Sequence, residues 1–168
     1  MVDGANHLKK TLIDGDLDLA VMPFPIDEAS FDFFPFLKGD LRVIVHQDHP
    51  LAIKELVKWS ELVHEQLIIL REGFNVHNMI IEEYKRMGVK PNIICETTQW
   101  NFMLEMVSIN HGITILPLSD YHEFENLKVL PLTEPQVEWQ LAIAWRKNSY
   151  ITHATRTWID FVKSKLNE

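Results

Sequence analysis

The stretch Arg71-Glu72-Gly73-Phe74-Asn75-Val76-His77-Asn78 gathers side chains suited to holding a small anion. It follows the apolar run Leu67-Ile68-Ile69-Leu70, which reads as a strand buried on both faces. Open α/β sheets take ligands beyond the carboxyl ends of their strands. Gly73 lets the backbone approach a ligand. Free amides at the start of a helix capped by Asn75 favour an anion. Arg71 can offer a carboxylate two parallel bonds, and Phe74 and His77 complete the lining. The plainer reading pairs Arg71 with Glu72 or Glu96 and makes Asn75 a cap only. Thr97, Thr98 and Gln99 stand in the same relation to the next strand, with simple N-capping as the alternative. Pro23 and Phe24 follow a third strand and could close such a site. Alternatively they form a turn packed on their own lobe.

The remaining reactive side chains point to less. His46 and His49 have metal-like spacing, but no cysteine or carboxylate cluster completes a site, so they read as a loop. Cys95 lies within a strand as inert core, and His111 stands at a helix C-terminus. Trp100 and Phe102 could wall a pocket, although aromatics at helical spacing are more often core. There is no Gly-x-Ser-x-Gly elbow and no phosphate loop, and no acid–base pair stands out. The expectation is a binding domain with no cofactor, no metal and no catalytic residue.

The elements that must position these residues can be read from periodicity. A helix is expected over Ala5–Asp14, stopped by Gly15, then a strand Leu17–Val21. Phe31–Leu37 carries Pro35 and reads as an edge strand or irregular. Leu41–Val45 is a strand broken by His49-Pro50, and a short helix surrounds Trp59–Leu62. Between Leu67 and Leu116 the pattern alternates. A helix with the stripe Val76, Met79, Ile80, Tyr84 and Met87 leads to a strand at Asn92–Glu96. A helix with Phe102, Met103, Met106, Val107 and Ile109, ended by Gly112, leads to a strand at Ile113–Leu116. Strands alternating with helices imply a parallel sheet covered by helices. Two further strands, Leu127–Leu132 and Trp139–Trp145, precede a last helix. Its stripe is Ala154, Trp158, Phe161, Val162 and Leu166, with Thr152 as its cap.

Composition bounds the function. The 168 residues hold 24 acidic and 16 basic side chains, a formal net charge of -8. Such a surface repels phosphates, so the chain alone is not expected to bind nucleic acid. One cysteine permits no intrachain disulfide and fits a reducing cytoplasm. The first residues do not resemble a signal peptide, and no apolar run approaches the ~18 residues of a membrane helix.

Three phrases stand out by their order. They are Gly15-Asp16-Leu17-Asp18-Leu19-Ala20-Val21, His49-Pro50-Leu51-Ala52 and His111-Gly112-Ile113-Thr114-Ile115-Leu116-Pro117. Together they resemble the C-terminal effector (substrate)-binding domain of LysR-type transcriptional regulators, over nearly the whole chain. The resemblance implies an α/β, two-lobed, periplasmic-binding-protein-like (type 2) fold, with strand crossovers near 45–48 and 116–119. Lobe I would be 1–45 with 120–168, and lobe II 46–119. A small-molecule effector, leaning to an organic anion, would sit in the cleft lined by Arg71, Gly73, Phe74, Asn75, His77, Thr97, Thr98, Gln99, Pro23 and Phe24. The intact regulator would be a cytoplasmic homodimer that binds DNA through a winged helix-turn-helix not found here. The family's opening strand-helix-strand of the effector domain is also not found, which would leave lobe I incomplete and a sheet edge open to association. The rivals are a free-standing solute-binding protein of the same fold, a small enzyme on it, and a partner-binding remnant without ligand affinity.

Overall fold

In a computed structural model of the chain, residues 5–118 and 125–166 are described. Contacts group the chain into two compact units, residues 39–139 and residues 1–38 with 140–168. The sequence places the divisions elsewhere, at 45/46 and 119/120. The contact boundary moves because Asp40–His46 is stitched along its length to the strands at Ile113–Leu118 and Leu127–Thr133.

In the unit 39–139, the second half of β2 (Phe31–His46) runs antiparallel to β6 (Ile113–Leu118) and to β7 (Leu127–Thr133). β6 is parallel to β4 (Gln66–Leu70), and β4 is parallel to β5 (Asn92–Thr97). A short β3 (Val57–Lys58) pairs parallel with β7. The parallel sheet expected between Leu67 and Leu116 is therefore present. β4 alternates between two cores. Leu67 and Ile69 face the cluster built on α2 (Asn75–Arg86), with Val76, Ile80 and Tyr84. Ile68 faces the cluster built on α3 (Trp100–Ser108), with Met103 and Val107. The α2 stripe holds as expected, with Val76, Ile80 and Tyr84 buried and Met79 and Met87 packed at its border. α3 differs. Trp100, Phe102 and Ile109 are exposed, so only Met103 and Val107 anchor it fully. Asn110, at φ 55, makes the turn after α3, with the His111 amide bonded back to the Met106 carbonyl, and Gly112 opens β6.

Tyr84 is fully buried, and its hydroxyl donates to the Leu62 carbonyl at 2.9 Å. Burial, then the nearby Glu65 carboxylate, pushes its phenol above the usual range. Replacing Tyr84 with Phe strands that carbonyl and is expected to cost about 1–3 kcal/mol in urea unfolding. The phenol's folded pKa is raised, so its contribution is full below the unfolded value near ~10 and is lost as pH climbs above it. The variant should therefore show a shallower alkaline loss of stability than the parent chain.

In the other unit, α1 (Ala5–Asp14) precedes β1 (Ala20–Pro23), which pairs antiparallel with β8 (Glu138–Arg146). The strand expected at Leu17–Val21 starts later, because the turn through Gly15 (φ +85) runs on to Leu19. β8 lies between β1 and β2, and β1 is the outer strand among the described residues. Phe31–Leu37 and Leu41–Val45, expected as separate segments, are one 16-residue strand continuing through Pro35 and Gly39. α4 (His153–Leu166) is capped as expected, with the Thr155 amide donating to Thr152 Oγ1 at 3.2 Å. Its buried stripe is offset from the expected one. Thr155 and Ile159 face inward while Trp158 and Phe161 are exposed, and the Thr155 hydroxyl donates to Asp18 Oδ2 at 3.3 Å. Lys163 Nζ lies over the Phe34 and Trp145 rings, at 5.4 and 5.7 Å.

Candidate functional site

The chain path through β4 and β5 sets up the topology at which open α/β sheets form a ligand crevice. From β4 the chain turns into α2, which covers one face of the sheet. From the neighbouring β5 it turns into α3, which covers the other. Adjacent parallel strands whose following helices leave to opposite faces define a topological switch point, where such sheets take their ligands. The Arg71 amide donates to the Thr97 carbonyl at 2.9 Å, the last bond before the two segments diverge.

Seven of the ten residues singled out from the sequence stand at the β4 and β5 exits, and an eighth, His77, stands in the first turn of α2. After β4, Gly73 takes φ +100, with nothing within 4 Å of where a Cβ would stand. The glycine is needed there for backbone conformation alone. Phe74, half-buried and extended at φ -87 and ψ 138, is the N-cap of α2, so Asn75 is the first helical residue and not the expected cap. The Phe74 side chain makes no capping bond, which leaves the opening amides of α2 uncapped from that side. His77 Nδ1 lies 3.3 Å from Asn78 Oδ1, and its Nε2 lies 3.7 Å from Glu96 Oε1. Glu96 thus faces His77, and the exposed Arg71 forms no ion pair among the described residues.

After β5, Thr97 Oγ1 accepts from the Gln99 amide at 3.2 Å, and Gln99 is the N-cap of α3, without a capping bond of its own. Neither Thr97 nor Thr98 is that cap. Thr97 is half-buried, and Thr98 and Gln99 are exposed. Two uncapped helix starts therefore lie beside the same switch point, and the summed peptide dipoles favour negative charge at both. Pro23 ends β1 in the other unit. Phe24 there stands edge-on to Phe33 at 5.3 Å and donates its amide to the Gln140 carbonyl at 3.0 Å.

The weaker candidates resolve into structural roles. His49 Nδ1 accepts from the Leu51 amide and caps the turn Pro50–Ile53, while its Nε2 lies 3.4 Å from Glu65. His46 Nδ1 accepts from the Asp48 amide at 3.2 Å. No group of three or more potential metal ligands occurs among the described residues. Cys95 is half-buried and packs beside the α3 core. Sequence reading missed a shallow groove between the C-terminal half of α2 and Pro135–Glu138. Glu82, Glu83 and Glu138 line it with Arg86, and Arg86 is engaged by the buried Glu83 at 2.6 Å. Its acidic lining disfavours anions. The signal that could have found it is Glu83, a carboxylate on the apolar side of α2.

Residues 1–167 match the family model described as the LysR substrate binding domain. An uncharacterized HTH-type transcriptional regulator of Bacillus subtilis, YwbI, is 40% identical over 98% of the chain and 55% of its own length. The chain spans about half the length of such curated relatives. Among solved structures, the effector-binding domain of QuiR in complex with shikimate is 25% identical with a TM-score of 0.83. That match covers 98% of this chain and 78% of that one. The regulatory domain of Synechocystis CcmR in complex with 2-PG shares the fold at a TM-score of 0.86 and 20% identity, over 97% and 80% of the two chains.

Proposed function

The chain belongs to the LysR substrate-binding-domain family, and we propose that it is the small-molecule sensor of a transcriptional regulator, taking an organic anion at the crevice between β4 and β5. The observation that carries the reading is the divergence of the Arg71–Asn75 and Thr97–Gln99 segments to opposite sheet faces, with two uncapped helix starts between them. That QuiR was solved with shikimate, itself a carboxylic acid, supports this ligand class.

Binding shifts the balance between conformations of unequal ligand affinity, and that shift is the signal. The division into two lobes belongs to the same proposal, as do the part played by Pro23 and Phe24, pairing with a second copy, and a cytoplasmic setting. DNA binding is proposed for a full-length regulator and not for this acidic chain. The relatives are regulators, which favours a binding domain over an enzyme.

A thermal-shift screen of small carboxylic acids, amino acids and sugars tests the reading. A ligand at a hundred times its dissociation constant adds about 2.7 kcal/mol to the folded state, which for a chain of this size raises Tm by roughly 5–10 °C. At least one carboxylic acid should do so, and the double variant Arg71→Ala, Thr98→Ala should weaken the response. A response confined to sugars or neutral amino acids would overturn the anion assignment, and silence across the panel would contradict sensing of these classes.

A further inference from the structure

The sheet register brings a second cation, Arg42, to the end of the sheet where β4 and β5 diverge. Arg42 of β2 stands opposite Leu116 of β6. Ile68 of β4 pairs with Thr114, so two residues further Leu70 is level with Leu116, and Leu70 pairs with Thr97. Arg42, Leu116, Leu70 and Thr97 therefore form one row across the carboxyl end of the parallel strands. Strand spacing puts Thr97 about 14 Å from Arg42 along that row. Alternation fixes the face. Leu41, Val43 and Val45 enter the α2-side core, whereas Ile44 and Leu116 enter the α3-side core, so the Arg42 side chain is on the α3 side. Cys95 packs on that side too, and two residues later Thr97 faces the same way.

Arg42 is half-buried, and its Nε is fully buried without a hydrogen-bond partner among the described residues. It forms no ion pair among the described residues, although Asp40 precedes it by two on the same face. A buried donor left unpaired is costly, and native chains rarely keep one without a use. The exposed Arg71 is placed differently, because water and salt screen whatever ion pair it makes.

We propose that Arg42, and not Arg71, is the residue that selects a carboxylate effector, its guanidinium holding the carboxylate at the carboxyl end of the sheet, on the side of Thr97 and the start of α3. This rests on the sensor reading above and names the cation of that same site. A planar guanidinium fork suits the two oxygens of a carboxylate, and a lysine in its place keeps the charge but loses the paired geometry.

The test compares the parent chain with Arg42→Met and Arg42→Lys, using thermal shift and calorimetric titration. The probes are shikimate, benzoate and succinate, each beside its carboxamide. Methionine keeps the apolar stem and removes the unpaired donor, so the fold should be retained. Carboxylates should bind the parent chain in preference to their amides, lose roughly ten- to a hundredfold in affinity with Arg42→Met, and recover in part with Arg42→Lys. Equal carboxylate binding by all three proteins would overturn the role of Arg42 and leave the sensor reading standing. Binding of amides but not carboxylates by the parent chain would also remove Arg42 as the selecting cation while sensing survives. Silence of every probe with the parent chain would overturn both.

Discussion

Replacing Trp59 with Ala should cost the unit 39–139 about 3–5 kcal/mol, the usual range for deleting a large buried aromatic. Trp59 is 1% exposed and stands edge-on to Tyr84 at 6.2 Å. Its Nε1 donates to the Pro135 carbonyl at 3.0 Å, tying the Trp59–Leu62 turn to the segment between β7 and β8. Truncation would open a cavity against Tyr84 and leave that carbonyl without its donor. Trp59→Phe keeps most of the apolar area and loses the hydrogen bond, so it should fall well short of the alanine loss. Urea unfolding of both variants checks this. An alanine loss under ~1 kcal/mol would mean that the Trp59 core does not support the sheet in the way described.

The second large effect is expected at Gly112. Its φ is +107, and a Cβ there would stand 2.8 Å from the Gln66 carbonyl oxygen, 3.2 Å from Ile94 Cδ1 and 3.4 Å from Ile68 Cδ1. The two isoleucine tips can yield, but the Gln66 carbonyl is strand backbone. Backbone strain of about 1–3 kcal/mol adds to overpacking of similar size, so Gly112→Ala should lose roughly 2–5 kcal/mol. Gly73→Ala is the control. It shares the positive φ but meets nothing within 4 Å, so it should show the strain contribution alone. Equal losses in chemical denaturation would show that the close approach of Gly112 to β4 carries no energy.

How much of this was legible in the sequence depends on whether the signal was local. Leu67-Ile68-Ile69-Leu70 has no polar break and became a strand covered on both faces. The Val76, Ile80, Tyr84 stripe repeats every four residues and became the buried side of α2. Local signals failed where a distant partner decided the outcome. Pro35 and Gly39 argue for a break, yet β2 runs through both, and Asp40–His46 is held by partners seventy or more residues away. In α4 the apolar periodicity favoured Trp158 and Phe161, but a hydrogen bond between Thr155 and Asp18 turns a neighbouring stripe inward. Trp100 and Phe102 are apolar by type and exposed by position, because α3 is anchored through Met103 and Val107.

The candidate site divides along the same line. Gly73 and the two helix starts were visible as turn and capping residues after apolar runs, although each cap falls one or two residues away from the expected one. Arg42 was invisible. Nothing in Asp40-Leu41-Arg42-Val43-Ile44 distinguishes a functional arginine from one on a solvated strand face. Only the register Arg42–Leu116, carried across β4 to Thr97, brings it to the same end of the sheet as the crevice.

The measurement that bears most directly on the sensor reading is an amide-resolved NMR titration of the chain with shikimate and with the most stabilising acid of the screen. The largest shifts are expected at Arg71–His77, at Thr97–Trp100 and around Arg42, saturating together with one dissociation constant. Shifts concentrated instead on Met79–Arg86 and Gln136–Glu138, or a stabilising acid that leaves the crevice residues unmoved, would contradict it.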